Sequence, residues 1–528
     1  MRSVVFFPRR STAAGDRVAA RLLRVAVGRH MTRNRPARQR DAAALDGRGC
    51  HVRARSTIRR ALFAKLPQSA SQRVDGCPGL LDAQAPDRVS QFSGGDMNSR
   101  NYVGVACLAL AGIACAPGMA GAQQRQSDDP DPNITVAGRP RPDLDPLGIH
   151  AGSFFIFPSI SLSGTFDSNV FASENDEKSD WGTVLAPRVD VNSDWTRHAL
   201  NFSAGAVGTA WADYSQNDFL DAFAATDGRL DVTRDDIVSG TLRFDRLHED
   251  RDDPDQNGDS TIGPQSEDGN LPRYYRGLLD TQYRHNFNRF FTVVGGGVQK
   301  LKYDDIGDSE YSRRDRWEYG GRARVGYQIS PRIGTFVQGN YSWREYENDQ
   351  FIDGEFQKRD NHGWRAAVGT NVDITSILFG EMSFGYSRRY YDADGLNNSG
   401  GFGANGNLTW NVTPLTSVIL NANSEVLEST VTFEGDAAEG NLQNGVGLEV
   451  QHELLRNVLL NGTVDYTRDD FQGTSRTDNV YGAGVGVSYL LNRNLTLDAN
   501  YRFTKRDSDD DTAEFDRNIV LFGITARM

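Results

Sequence analysis

The clearest candidate for metal chemistry is the acidic run DPDQNGD at residues 253–259. Asp253, Asp255 and Asn257 are oxygen ligands at the first, third and fifth positions, Gly258 is the sixth and Asp259 the seventh, as in the first half of a calcium-binding loop. The twelfth position is Pro264 and not the Glu that supplies a bidentate carboxylate. We interpret the run as a weak calcium candidate and favour a solvated acidic loop. The sequence predicts no other metal and no cofactor.

A second candidate, for hydrolytic chemistry, is the run His248-Glu249-Asp250. A His beside acids could act as a general base, but the chain after residue 122 has no G-x-S-x-G elbow, phosphate loop or CxxC pair, and its histidines are scattered. A loop with His and acids is more often solvated surface, so we expect no enzyme. The same segment carries 38 Lys and Arg against 63 Asp and Glu, which disfavours nucleic-acid binding.

A third group of charged residues could select ions. They occur at every second position of strand-like segments, so in a closed sheet their side chains would point into the lumen. The basic residues come first along the chain and the acidic ones mostly later. The residues are Arg243, Arg276, Arg284, Arg322, Arg324, Arg344, Arg365, Asp373, Glu381, Glu425, Glu449, Glu453, Asp465 and Asp498. In a ring closed in chain order, a basic wall would face an acidic wall and focus a field across a channel. The alternative is that opposite charges pair across neighbouring strands. Asp245, Asp280, Arg389 and Arg502 interrupt the two sets.

The elements that position these residues show a period of two. Along residues 333–344, Ile333, Val337 and Tyr341 share one face, while Gln338 and Arg344 lie on the other. About eighteen such segments (16–18) are long enough for tilted membrane strands of roughly 9–11 residues, and the connections between them alternate between short turns and long acidic loops. A propeller would not alternate so strictly. We predict an all-β fold, a transmembrane antiparallel up-and-down β-barrel over residues 153–528 with short periplasmic turns and long acidic outer loops.

The chain before the barrel looks like processing and linker sequence. Residues 97–122 carry a short basic start, an apolar run and the small residues Ala120 and Ala122, which predict a signal peptide cleaved before Gln123. A membrane anchor or a lipid attached at Cys115 is the alternative. Residues 1–96 are a basic segment of low structure, which we interpret as a start assigned too far upstream and not as a basic arm. Residues 123–152 are rich in Pro and Asp and predict a disordered periplasmic linker. All four cysteines precede residue 116.

One short run resembles a known family. In FPSISLSGTFDSNVF at residues 157–171, Pro158 is followed by alternating apolar residues and then by Phe166-Asp167-Ser168-Asn169-Val170-Phe171. This resembles the opening strand of the outer-membrane porins called beta-barrel porin family 2, over about residues 150–528. The resemblance implies a secreted barrel without a catalytic centre, often associated with exopolysaccharide or capsule export. The chain ends in Met528, where such barrels usually end in Phe or Trp.

Together these patterns favour a transport protein of a Gram-negative outer membrane. We expect a passive diffusion pore or conduit, and the alternative is a structural or adhesive barrel that transports nothing. An eighteen-strand ring leaves a water-filled channel unless something plugs it, and the sequence shows no plug domain. The expected partners are outer-membrane lipid and lipopolysaccharide, the barrel-assembly machinery and, by resemblance, polysaccharide-export components. The sequence does not indicate the solute.

Overall fold

The computed structural model describes residues 134–528, apart from residues 254–268, 308–309, 353, 375–376, 430 and 434–435. The predicted signal peptide with its cleavage residues Ala120, Ala122 and Gln123 therefore lies outside the described residues, as does the segment 1–96. The same holds for Asp255, Asn257 and Asp259 of the calcium candidate, of which only Asp253 is described.

Eighteen long strands make up the described sheet. They are β1 Phe154–Asp167, β2 Asp180–Ser193, β3 Ala199–Trp211, β4 Phe219–Asp231, β5 Asp236–His248, β6 Arg273–Phe287, β7 Phe290–Tyr303, β8 Arg316–Ser330, β9 Ile333–Tyr346, β10 Asn361–Ile374, β11 Leu378–Tyr391, β12 Ser399–Thr413, β13 Thr416–Leu427, β14 Gly440–Leu455, β15 Val458–Gln472, β16 Thr477–Leu490, β17 Leu495–Ser508 and β18 Phe515–Arg527.

Short pieces complete the described secondary structure. Ile149–Ala151 pairs with the start of β1, and two small hairpins and three 3-10 turns lie in the connections. No described helix is long and apolar enough to cross a membrane.

The strands form a closed antiparallel ring, as the sequence predicts. Each strand pairs with its neighbours in the chain, and β18 returns to β1 with Arg527 opposite Ser159 and Ile519 opposite Asp167. Closure matters because an open strand edge in lipid would leave backbone groups without partners. The connections at one end span 2 to 5 residues and those at the other are mostly longer. Outer-membrane barrels carry their short turns on the periplasmic side, and we call the two ends periplasmic and outer on that basis.

The run at residues 166–171, which carries the family resemblance, makes side-chain contacts between the first and the last strand of the ring. Asp167 accepts a 2.8 Å hydrogen bond from Nε of Arg517 on β18, and its second oxygen accepts one from the backbone N–H of Asn169. The Asn169 amide in turn donates to the backbone carbonyls of Asp516 and Ser173. Asp167 and Asn169 therefore hold the first strand to the last.

The two faces of the wall differ as the alternation predicts. Outward positions carry exposed apolar side chains, such as Phe402 at 80%, Phe384 at 65% and Val464 at 62% exposure. A soluble fold would bury side chains of this size, whereas hydrocarbon accepts them. Aromatic residues such as Trp343 and Tyr489 lie near the strand ends, as interface girdles do.

Part of the segment predicted as a disordered linker, from residue 134 onward, contacts the inner face of the barrel. Val136 donates its backbone N–H to Ser417 Oγ at 2.8 Å and packs with Leu459 and Leu490 at the periplasmic ends of β15 and β16. Arg141 pairs with Glu453 on β14 at 2.9 Å. Because these strand residues occupy inward positions, residues 134–145 line the periplasmic mouth from inside. Neither the Pro content nor the charge of the segment indicates this docking.

Candidate functional site

The candidate site is the lumen, where the inward positions of the strands converge. All fourteen charged residues predicted to line a channel lie within the strands, at positions that alternate with the exposed apolar ones. The structure then groups most of them into ion pairs, and the residues that interrupt the two predicted sets are often the partners.

Two of these pairs each bridge an intervening strand in the middle of the barrel. Arg322 on β8 holds Asp280 on β6 through both terminal nitrogens, at 2.6 and 2.7 Å. Arg502 on β17 holds Asp465 on β15 in the same way, at 2.8 and 2.9 Å. The second pair lies flat over Gly482 of β16, where a Cβ atom would overlap both charged groups. Glycine is therefore required at this close approach.

Further pairs involve neighbouring and more distant strands. Asp245 on β5 accepts from Arg243 on its own strand at 2.8 Å and pairs with Arg276 on β6 at 2.9 Å. Arg324 on β8 holds Glu381 on β11 at 2.9 and 3.1 Å. Each contact places an opposite charge beside a member of one predicted set, which weakens the field that the set produces in the lumen. The basic wall facing an acidic wall stays a prediction. Of these pairs, Asp245–Arg276 joins neighbouring strands, as the alternative of local pairing expects, whereas the pairs of Arg322, Arg324 and Arg502 span one or more intervening strands.

The remaining predicted residues make other contacts. Arg284 lies over the Phe291 ring, Arg365 donates to the Ser424 carbonyl, Glu449 accepts from Gln451 and Asp498 accepts from Ser488. The other four are Glu453, which pairs with Arg141 as described above, Arg344, which pairs with Glu428, Asp373 at the periplasmic end of β10, and Glu425 near the outer end of β13.

Solvent exposure divides the lumen into two zones. Pairs in the middle are open to water, with Arg322 and Asp280 side chains at 15% and 30% exposure and Arg502 and Asp465 at 22% and 33%. Many charged residues toward the outer end are almost fully buried, such as Arg344 at 3%, Glu318 at 1% and Arg506 at 2% exposure. Within the part of the chain that the structure describes, the outer zone is thus filled by protein, while these pairs in the middle stay accessible to water.

One part of this filling is the segment 249–253, which follows β5. Arg517 on β18 pairs with Asp250 at 3.6 Å and Asp252 at 3.5 Å, and Arg506 on β17 donates to the Asp252 carbonyl. Because β17 and β18 are several strands away from β5 around the ring, the segment lies across the mouth. Burial and the negative charge of Asp250 raise the pKa of Asp252 to about 6.

The other part is the connection 428–439 between β13 and β14, which we call the Glu428 segment. Glu428 Oε1 accepts from Arg344 on β9 at 2.6 Å, and Oε2 lies 3.4 Å from Arg359. Val431 and Ala438, both 0% exposed, pack on Phe471 of β15. Burial alone would raise the pKa of the Glu428 carboxyl, but the guanidinium groups of Arg344, Arg389 and Arg359 lower it to about 2.

The outer layer, formed by the segment 249–253 and the Glu428 segment, is the feature of the lumen that the sequence does not predict. Glu428 lies just beyond a strand, so alternation does not mark it, and the acidic sequence of the segments that fold inward predicts solvated loops. The signal in the sequence that could have indicated this zone is that Arg316 and Glu318 both occupy inward positions at the outer end of β8. In the structure these two residues form an ion pair at 2.7 Å. His248 also lies in this zone, with Nδ1 2.9 Å from Asp221 and its ring stacked on Phe219. Within the described residues, no cluster of His, Cys, Asp or Glu could hold a metal ion.

Comparisons with known proteins agree with this architecture. A family model described as "Putative beta-barrel porin 2" matches residues 141–528. No curated protein matches the chain.

Similar solved structures include the copper transporter OprC, at 10% identity and TM-score 0.43, covering 72% of this chain and 82% of that chain. Others are OpdL of Pseudomonas aeruginosa, at 10% identity and TM-score 0.36 with 72% and 100% coverage, and OccK1 (OpdK) of the same organism, at 10% and 0.38 with 71% and 99%. Since the family model covers more than two thirds of the chain and every strand of the ring, the chain belongs to the Putative beta-barrel porin 2 family and is a porin-like barrel of the outer membrane.

Proposed function

We propose that this protein is a passive pore for small hydrophilic solutes whose outer mouth is closed by its own inward segments. The observation that supports this most is the water-exposed middle of an eighteen-strand lumen, lined by the pairs Arg322–Asp280 and Arg502–Asp465. A ring of this size leaves an aqueous channel unless it is filled. Among the described residues, the filling lies in the outer zone and in the 134–145 segment at the periplasmic mouth.

The closed mouth also favours a second candidate, a structural or adhesive barrel that never opens. We retain polysaccharide export as a finer proposal for the conduit, with export components and the assembly machinery as partners. A polymer would require both ends to open, whereas a structural barrel would require neither. Enzymatic activity has no positive support in the arrangement of the described residues.

Liposome swelling and planar-bilayer recording separate these functions. We expect the purified barrel to admit small sugars and to conduct ions, with openings that are rare because the outer layer is packed. The double variant Arg322→Glu and Arg502→Glu should shift ion preference toward cations, since it places negative charge at the exposed pairs.

The matched control for this experiment is Arg332→Glu, which lies in an exposed periplasmic turn and should change selectivity little. Lack of sugar uptake and of conductance, in preparations that are folded and inserted, would favour the structural barrel. Selectivity that is the same in the double variant and the wild type would contradict a path along these pairs.

A further inference from the structure

The lipid-facing side of the barrel carries its basic side chains at one end only. Leaving aside strand-terminal residues, six Lys and Arg residues occupy outward positions in the described strands: Arg246, Lys300, Lys302, Arg388, Arg468 and Lys505. All six lie in the third of the strand next to the long connections. The outward positions between them and the periplasmic turns are mainly apolar. A cation at this height, directly above an apolar belt, faces the headgroups of the outer leaflet.

Below one of these cations the wall has an apolar groove of about 280 Å³ across β2–β5. Ala204 and Ala224 are opposite each other in the ladder and form its floor, while Phe202 and Phe244 rise beside them. The two phenyl rings are 41% and 59% exposed, so no other part of the described chain covers them. The small floor between large rings leaves an apolar depression on the lipid-facing side of the wall.

Arg246 lies at the outer end of this groove. It is two residues beyond Phe244 on β5, about 7 Å along the strand, and stands opposite Ala222 of β4. Its guanidinium donates to the Leu220 carbonyl near the outer end of β4, so the charged group lies on the outer side of the groove. On the other side, Arg246, Tyr275 and Lys302 form one row across β5, β6 and β7, and the Lys302 side chain is exposed.

We propose that this surface is a binding site for one lipid of the outer leaflet with a phosphorylated headgroup. Its acyl chain occupies the groove, its phosphate accepts hydrogen bonds from Arg246, and a second anionic oxygen of the headgroup is held by Lys302. Phosphate oxygens form charge-assisted hydrogen bonds with guanidinium, and the apolar groove gives the chain dry contact. A free phosphate would leave the groove empty, which is why we assign the site to a lipid. The proposal depends on membrane insertion and not on pore activity.

Native mass spectrometry of the intact barrel in detergent tests the site, with lipid A as the probe and a phosphatidylcholine of similar chain length as the comparison. The double variant Arg246→Gln and Lys302→Gln should bind lipid A roughly 30-fold more weakly, as expected for about 2 kcal/mol from two surface cations. Ala224→Phe, which fills the groove without changing charge, should also weaken lipid A binding. Inorganic phosphate should compete poorly against the wild type.

The matched control is the double variant Arg289→Gln and Arg332→Gln, which removes two exposed cations from periplasmic turns and should bind lipid A as the wild type does. Equal loss in this control, or unchanged lipid A binding in the Arg246 and Lys302 variant, would overturn the proposal. If the Arg246 and Lys302 variant binds lipid A more weakly but Ala224→Phe does not, binding depends on surface charge alone. That result would contradict the claim that the acyl chain occupies the groove. Single-channel conductance should be the same in all these variants, so failure of the site and failure of the pore are distinguishable.

Discussion

Glu428→Gln should convert a barrel that opens rarely into one that is open most of the time, with a preference for anions. The substitution leaves Arg344, Arg359 and Arg389 without the carboxylate that they surround. Breaking a buried ion pair from one side costs about 3–5 kcal/mol, which corresponds to a change of roughly 100-fold or more in the ratio of closed to open mouths. The exposed guanidinium groups would then attract anions. Single-channel recording in planar bilayers, with reversal potentials in a salt gradient, measures both effects.

Asp436→Asn is the matched control for Glu428→Gln. It removes one negative charge from the same segment, but at an exposed position, so open probability and selectivity should stay close to wild type. Acidification from pH 7 to pH 5 should not open the wild type either. The lowered pKa of Glu428 keeps its stabilising charge in this range, and that contribution is lost only as the pH falls toward 2. The raised pKa of Asp252 favours the packed state as the pH falls, because protonation removes the cost of burying its charge and relieves its repulsion from Asp250. Identical open probability in Glu428→Gln and wild type would contradict the closing role of Glu428.

Val464→Arg should destabilise the barrel by about 2–4 kcal/mol, because it places a charge in hydrocarbon near the middle of the apolar belt. Val464 lies within β15 and is 62% exposed on the outward face. Its neighbour Thr463 occupies an inward position, so Thr463→Arg adds the same side chain to the aqueous side and should cost much less. Urea unfolding of both variants in lipid vesicles, followed by tryptophan fluorescence, measures the difference.

Which of the two substitutions, Val464→Arg or Thr463→Arg, destabilises the barrel more decides which face of β15 meets the lipid. Equal destabilisation by Val464→Arg and Thr463→Arg would mean that both faces of β15 meet similar surroundings. A larger cost for Thr463→Arg would invert the assignment of faces.

The strands that form the wall of this barrel can be predicted from the sequence because the pattern that marks them lies within each strand. A strand between hydrocarbon and water must alternate every second residue, and Ile333 to Arg344 shows that pattern without any long-range information. The same alternation placed Arg322 and Asp465 on inward positions. The prediction of a closed ring followed from a last strand that must find a partner, and β1 is that partner.

The packing of the lumen could not be predicted in this way. Glu428 and Arg344 are 84 residues apart, and Arg141 and Glu453 are 312 apart. Nothing in the local pattern of an acidic loop distinguishes a carboxylate that stays in water from one that enters a cluster of arginines. The difference depends on which guanidinium groups the finished ring brings together, and desolvation makes such groups costly unless they meet partners.

The most direct test of a water-filled lumen behind a lipid-facing wall is single-cysteine scanning of β15 in lipid vesicles. All four native cysteines precede residue 116, so the predicted barrel has none to interfere. A membrane-impermeant thiol reagent should modify cysteines at Asn461 and Thr463, and it should leave those at Leu460 and Val464 unmodified. Uniform reactivity along the strand, or reactivity of the Val464 position with protection of Thr463, would contradict the account.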